Sequence, residues 1–198
     1  MCPVQCLDTL YSSWDCTMIL WLVRHGKTAI PSGTAVGWLD VPLASDGRKQ
    51  AISLVEKLGH VKISRVIASD LQRARDTATP LVTKRSIPLV TTPALRELHF
   101  GKWEGKPFKD LWTTYPDQAR LWEKDIRNTP ACFGESLSDL EQRIASVISD
   151  IVQEPGTVVV AHKGSLCVLH AALTGCTFPE SWELGWEHAT PVSVVLPC

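Results

Sequence analysis
The hydrophobic pattern divides the chain into continuous apolar runs and helical stripes. Ile19, Leu20, Trp21, Leu22 and Val23 are apolar at every position, as a central strand buried on both faces requires. Behind them, Ser45 and Asp46 open a segment in which Ala51, Leu54, Val55 and Leu58 recur at helical spacing, and Gly59 stands where a helix would end. Arg65 to Ala68 read as a short strand, after which Ser69 and Asp70 are placed to cap a second helix carrying Arg73, Ala74, Ala78, Leu81 and Val82. A short extended piece from Ile87 to Val90, flanked by Pro88 and Pro93, reads as an edge or loop-bounded strand. Residues 99 to 136 lack clean periodicity but hold Trp103, Trp112 and Trp122 among charged residues, the pattern of loop and short helix laid over another part of the fold. Leu137, Leu140, Ile144, Val147, Ile148, Ile151 and Val152 mark the strongest amphipathic helix, closed by Pro155 and Gly156. Thr157 to Ala161 form a second fully buried strand with an apolar helix behind it, and Pro191 to Leu196 supply a last strand. The alternation predicts a three-layer α/β/α sandwich around a mostly parallel sheet. Residues 18–198 form one domain in this reading, with 99–136 as an inserted, lid-like segment and 1–17 as an extension outside the fold.

Chemistry enters where the buried strands end. The first stops abruptly at Arg24, His25 and Gly26, and the second at His162, Lys163 and Gly164. Ligands of open α/β sheets bind just past the carboxyl ends of such strands, so both histidines are expected on one edge, near Arg73. Two guanidiniums offer forked donors for phosphoryl oxygens, and a neutral imidazole can attack phosphorus once its other ring nitrogen is fixed and nearby cations disfavour its protonation. Gly26 and Gly164 are expected where backbone approaches the phosphoryl group. The leaving alkoxide needs a proton, and Asp70, Glu97, Glu104 and Glu135 are the candidate donors.

Composition narrows the partners. A net charge of −1 gives no electrostatic reason to expect nucleic acid or an anionic membrane, so anion chemistry has to come from a local cluster of cations. No apolar run approaches a membrane span and the first ten residues lack a signal-peptide pattern, so the cytoplasm is the expected compartment. Seven irregularly spaced cysteines form neither a disulfide framework nor a zinc-type cluster. The expected partner is a small-molecule phosphate ester, with no metal and no cofactor; oligomeric state is not readable.

The segment LVRHGKT resembles the signature of the histidine phosphatase superfamily. GWLDVPLASDGRKQA, ASDLQRARDTA, LRELHFGKWEG, FGESLSDLEQRI and VVVAHKGS resemble further blocks of that family, in the family's order and over about 150 residues. The resemblance implies the phosphoglycerate mutase-like fold and hydrolysis through a phosphohistidine. His25 becomes the nucleophile, Arg24, Arg73 and His162 the phosphate pocket, and Glu97 the proton donor; Thr28, Gly37 and Lys163 become substrate-loop residues. The W-E-G and G-E-S blocks are most similar to the branch of bacterial α-ribazole phosphatases and broad-specificity sugar-phosphate phosphatases. Alternatives are mutase-type phosphoryl transfer and a phosphate-binding module without catalysis.

Departures from the family pattern cluster near the site. Lys27 stands where Glu, Gln or Ser is usual, Pro31 replaces a commonly found Asn, and Lys163 interrupts a usual H-G-G. Lys163 either adds a cation beside the pocket or points to solvent. His60, His99, His170 and His188 are read as structural, Trp103 as packing under the catalytic loop, and Trp112 and Trp122 as core or as the lid of a substrate pocket.

Overall fold
A computed structural model describes residues 17–197. The central sheet has five strands in the order β3-β2-β4-β1-β5. These are β1 (Thr17–Arg24), β2 (Arg65–Ser69), β3 (Leu89–Thr92), β4 (Thr157–Ala161) and β5 (Pro191–Pro197). The first four run parallel and β5 is antiparallel to β1, so the sheet is mostly parallel, as expected. Side chains alternate between two cores. Leu20, Leu22, Val159 and Ala161 pack under α5 (Leu137–Ile151) and α6 (Lys163–Thr174). Val23, Val66, Ala68, Val158 and Val160 pack under α1 (Ser45–Lys57) and α2 (Gln72–Arg85).

Several boundaries differ from the sequence reading. β1 begins at Thr17, two residues before the apolar run, because Thr17 and Met18 pair with Pro197 and Leu196 of β5. The N-terminal extension read over residues 1–17, apart from Thr17, lies outside the described residues, as do Cys2, Cys6 and Cys16. β3 is shifted two residues along from the expected piece, since β2 fixes its register from Val66 opposite Leu89 to Ser69 opposite Thr92; it is an edge strand as read. Ser69 and Asp70 do not cap α2. Its N-cap is Leu71, without a side-chain bond, because both polar groups are engaged elsewhere. The segment 99–136 folds as a 3-10 turn with α3 (Phe108–Thr114) and α4 (Pro116–Lys124), and α7 (Phe178–Trp182) follows α6. Among the described residues no helix is long and apolar enough to cross a membrane.

Candidate active site
The carboxyl ends of β1, β2 and β4 deliver His25, Ser69 and His162 to one edge of the sheet. The His25 backbone N–H donates to the Ala161 carbonyl at 2.9 Å, locking the loop after β1 to the end of β4. His25 Nδ1 donates to the Gly26 carbonyl at 2.8 Å, so Nδ1 carries the proton and Nε2 keeps its lone pair. The His25 and His162 rings lie 5.0 Å apart, centroid to centroid. Arg73 is only 1% exposed. Its Nε donates to His162 Nδ1 at 3.2 Å, and its two Nη groups donate to the Leu39 and Gly37 carbonyls, each at 2.7 Å. An N–H of each Nη is left for another acceptor. Because His162 Nδ1 accepts, Nε2 carries the ring proton and donates to Ser69 Oγ at 2.9 Å.

The electrostatics keep both rings neutral. Burial, then the Arg73 guanidinium, holds His25 well below the usual imidazole range, with smaller contributions from Arg24 and His188. Burial, Arg73 and His25 do the same to His162. Arg24 donates to the Trp186 carbonyl at 3.0 Å, while its buried Nε has no hydrogen-bond partner in the described chain.

Of the four candidate carboxylates, three are committed to the scaffold. Asp70 makes a two-pronged pair with Arg96 at 2.7 and 2.6 Å, which holds its carboxyl below the usual range. Glu104 accepts from the Trp38 and Phe100 backbone N–H groups, and Glu135 pairs with Arg143 at 2.8 Å and accepts from the His99 N–H. Glu97 instead accepts from the Leu98 N–H at 2.9 Å and from Gly164 N–H, two residues past His162, at 3.2 Å. Its carboxylate therefore belongs to the edge of the histidine site, where its charge also acts on Arg24 and Arg73.

The glycines correct one expectation. Gly26 faces protein backbone, since a Cβ there would lie 2.6 Å from the Gly47 carbonyl oxygen of α1, and at Gly164 a Cβ would lie 2.4 Å from Glu97 Oε1. Both are small because another part of the chain comes close. Gly37 has φ +51° and its carbonyl receives Arg73. Thr28 is buried and bridges to Leu43, with no role in the site beyond fixing that loop. Lys27 is exposed, its backbone N–H held by Gln50. Lys163 takes neither expected course fully: its Nζ lies 3.6 Å from the centre of the Trp182 ring.

Four residues were not read as part of the site. Ser69 holds His162, and Thr77 accepts from the Gly26 N–H at 2.8 Å, tying the loop after His25 to α2. Trp38 Nε1 donates to the Glu97 carbonyl at 2.7 Å. His188, read as structural, lies 5.4 Å from the His25 ring and its Nδ1 donates to the His25 carbonyl at 2.7 Å. Sequence proximity could have flagged Ser69 and Thr77, which lie in the Arg73 block; His188 carries no such signal. Trp103 is fully buried against Ala35 of the loop after His25, as expected, while Trp112 is exposed.

Beside the histidines a cavity of about 450 Å³ opens at Glu97 and Gly164. Its wall is aromatic, with Phe100, Phe108, Trp122, Phe178 and Trp182, so Trp122 contributes to a pocket and Trp112 does not. Among the described residues no group of three or more His, Cys, Asp or Glu is placed to hold a metal ion.

A buried pair of neutral imidazoles between two guanidiniums, with a carboxylate at the rim, defines an α/β enzyme that handles phosphoryl groups. The family model for the histidine phosphatase superfamily (branch 1) matches residues 20–197, and the chain belongs to that superfamily, as a phosphoric monoester hydrolase. It is 34% identical over 174 residues to the adenosylcobalamin/alpha-ribazole phosphatase of Salmonella typhimurium, covering 86% of each chain. It is 32% identical over 167 residues to the glucosyl-3-phosphoglycerate phosphatase of Mycolicibacterium vanbaalenii, covering 79% of this chain and 74% of that one. The crystal structure of the alpha-ribazole phosphatase from Shigella flexneri superposes with a TM-score of 0.81 at 29% identity, covering 89% of each chain.

Proposed function
We infer that this protein is a cytoplasmic, metal-independent phosphomonoesterase in which His25 is the nucleophile, and that α-ribazole 5'-phosphate, an intermediate of cobalamin nucleotide-loop assembly, is its substrate. The observation that carries the substrate reading is the aromatic cavity opening at Glu97 and Gly164, which offers a bicyclic heteroaromatic group a stacking surface on the leaving-group side. The similarity to alpha-ribazole phosphatases supports the same substrate.

The chemistry follows from the hydrogen bonds. His25 Nε2, with Nδ1–H held by the Gly26 carbonyl, attacks phosphorus. Arg24 and the free N–H groups of Arg73 take the equatorial oxygens, where charge spreads in the transition state. Ser69 lets His162 join them. Its hydroxyl accepts from Nε2–H in the empty site, but by rotating it can donate to Nε2, moving the ring proton to Nδ1 and turning His162 into a donor towards the phosphoryl group. Glu97 protonates the leaving oxygen as the P–O bond breaks, and then takes a proton from the water that attacks the phosphohistidine, releasing inorganic phosphate and free His25.

The test is phosphate release, with chelator present, from a panel of α-ribazole 5'-phosphate, 3-phosphoglycerate, sugar phosphates and an aryl phosphate. α-Ribazole 5'-phosphate should give the highest kcat/KM. His25→Ala should abolish release from every ester, and comparable activity in that variant would sink the phosphohistidine step. Glu97→Gln should slow esters of poor leaving groups at least tenfold more than an activated aryl ester. Equal slowing would move the proton donor elsewhere.

A further inference from the structure
A second cavity, of about 480 Å³, lies on the other side of Arg24 and is lined by Arg24, Gln50, Lys163, Trp186, Glu187 and His188. Its chemistry differs from that of the aromatic cavity, because almost every polar group facing it is a donor. Arg24 has a buried Nε without a partner in the described chain. Gln50 uses its carbonyl oxygen to accept from the Lys27 N–H, which leaves its amide N–H groups. His188 spends Nδ1–H on the His25 carbonyl, so a proton taken up at Nε2 makes that nitrogen a second donor. Lys163 is the first residue of the twelve-residue helix α6, whose amino-terminal end adds a partial positive charge. The Lys27 charge is also felt at His188. Facing these stands one carboxylate, the exposed Glu187. Lys27 and Lys163 are two of the family departures that the phosphoryl chemistry leaves without a role, and both bear on this one cavity.

We propose that this cavity is a second oxyanion site, built from Arg24, Gln50, Lys163 and His188, which binds a carboxylate or phosphate group separate from the phosphoryl group being hydrolysed. Arg24 joins the two sites, one edge of its guanidinium serving each. Lys163 supplies the mobile charge: it rests across the Trp182 ring when the site is empty and exchanges that contact for the stronger one to a full anion. The oxyanion comes either from the substrate itself, as a second anionic group, or from free inorganic phosphate held after release.

Two measurements on the full chain distinguish these sources and test the proposal. The first is the ratio of kcat/KM for a carboxylate-bearing phosphate ester to that for a neutral aryl phosphate, in the wild type and in Lys163→Met and Lys163→Arg. The second is the number of inorganic phosphate ions bound per chain, by calorimetry. If the substrate supplies the anion, the ratio falls about tenfold in Lys163→Met and recovers in Lys163→Arg. If free phosphate does, the ratio holds while the wild type binds two phosphates and Lys163→Met binds one. A merely structural Lys163 lowers both rates together, and an unchanged ratio with one phosphate in every variant overturns the second site. A protein that releases phosphate from no ester, yet binds two phosphate ions, would fail as a phosphatase while keeping the site.

Discussion

At the scale of single residues, the site depends on which nitrogen of each imidazole holds the proton. Ser69 sets this for His162, through a hydroxyl that is fully buried and also accepts from the Leu71 N–H at 3.3 Å. Ser69→Ala removes the only acceptor the described structure gives His162 Nε2–H, and leaving a buried donor unmade costs about 1–3 kcal/mol. The variant should lose stability by that amount in urea unfolding and lose kcat more than KM changes, because the lost switch acts on the phosphoryl group in flight. A KM effect alone would show that Ser69 only shapes the pocket. Arg24, His25, Arg73 and His162 were legible in the sequence because each ends or follows a strand or lies in a block with fixed spacing. Ser69 and His188 were not legible in these roles. Their partners are 93 and 163 residues away, and only the sheet order brings them together.

At the scale of elements, the same contrast recurs. Strands β1, β4 and β5, and helices α1, α2, α5 and α6, followed from apolar runs and helical stripes, because burial on one or both faces writes itself into the period. The short α7 and the loop to His188 have too few turns to show a period, yet they hold Lys163, Arg24 and His25 through Trp182, Trp186 and His188. The capping of α2 was misread because Asp70 has a stronger partner in Arg96 than any helix N–H. The contact between α1 and the loop after His25 is an element-scale constraint that can be tested. A Cβ on Gly47 would lie 2.0 Å from the Lys27 carbonyl oxygen, a backbone atom with no room to yield. Gly47→Ala should therefore push the loop away from α1, costing about 1–3 kcal/mol as overpacking does. Because the same loop carries His25, activity should fall further than stability; Gly59→Ala, at the far end of α1 with its nearest contact at 3.0 Å, is the control. Equal effects of the two substitutions would show that the α1 contact does not position the nucleophile.

For the whole molecule, the buried histidines make stability depend on pH. Burial and the cations around them hold the His25 and His162 imidazoles well below their usual range in the folded chain, whereas in the unfolded chain they titrate near about 6.5. Below that pH the unfolded chain takes up protons that the folded one refuses, so stability is fully present above about pH 6.5 and is lost as the pH falls. Each fully excluded proton is worth about 1.4 kcal/mol per pH unit, so the two rings together set a limiting slope of about 2.7 kcal/mol per unit. Asp70, held low by Arg96, acts in the same direction but in a separate window, below about pH 4 where the unfolded carboxyl titrates. Urea unfolding at pH 7.5, 6.5, 5.5 and 5.0 should therefore show a flat region and then an acid limb. His25→Gln should reduce that limb by the share of one proton. Inorganic phosphate should weaken it in the wild type, since a bound dianion among Arg24, Arg73 and His162 makes the imidazolium form easier to hold in the folded state. An acid limb unchanged by His25→Gln would place the titrating groups elsewhere, and one unchanged by phosphate would mean the anion binds away from the buried pair.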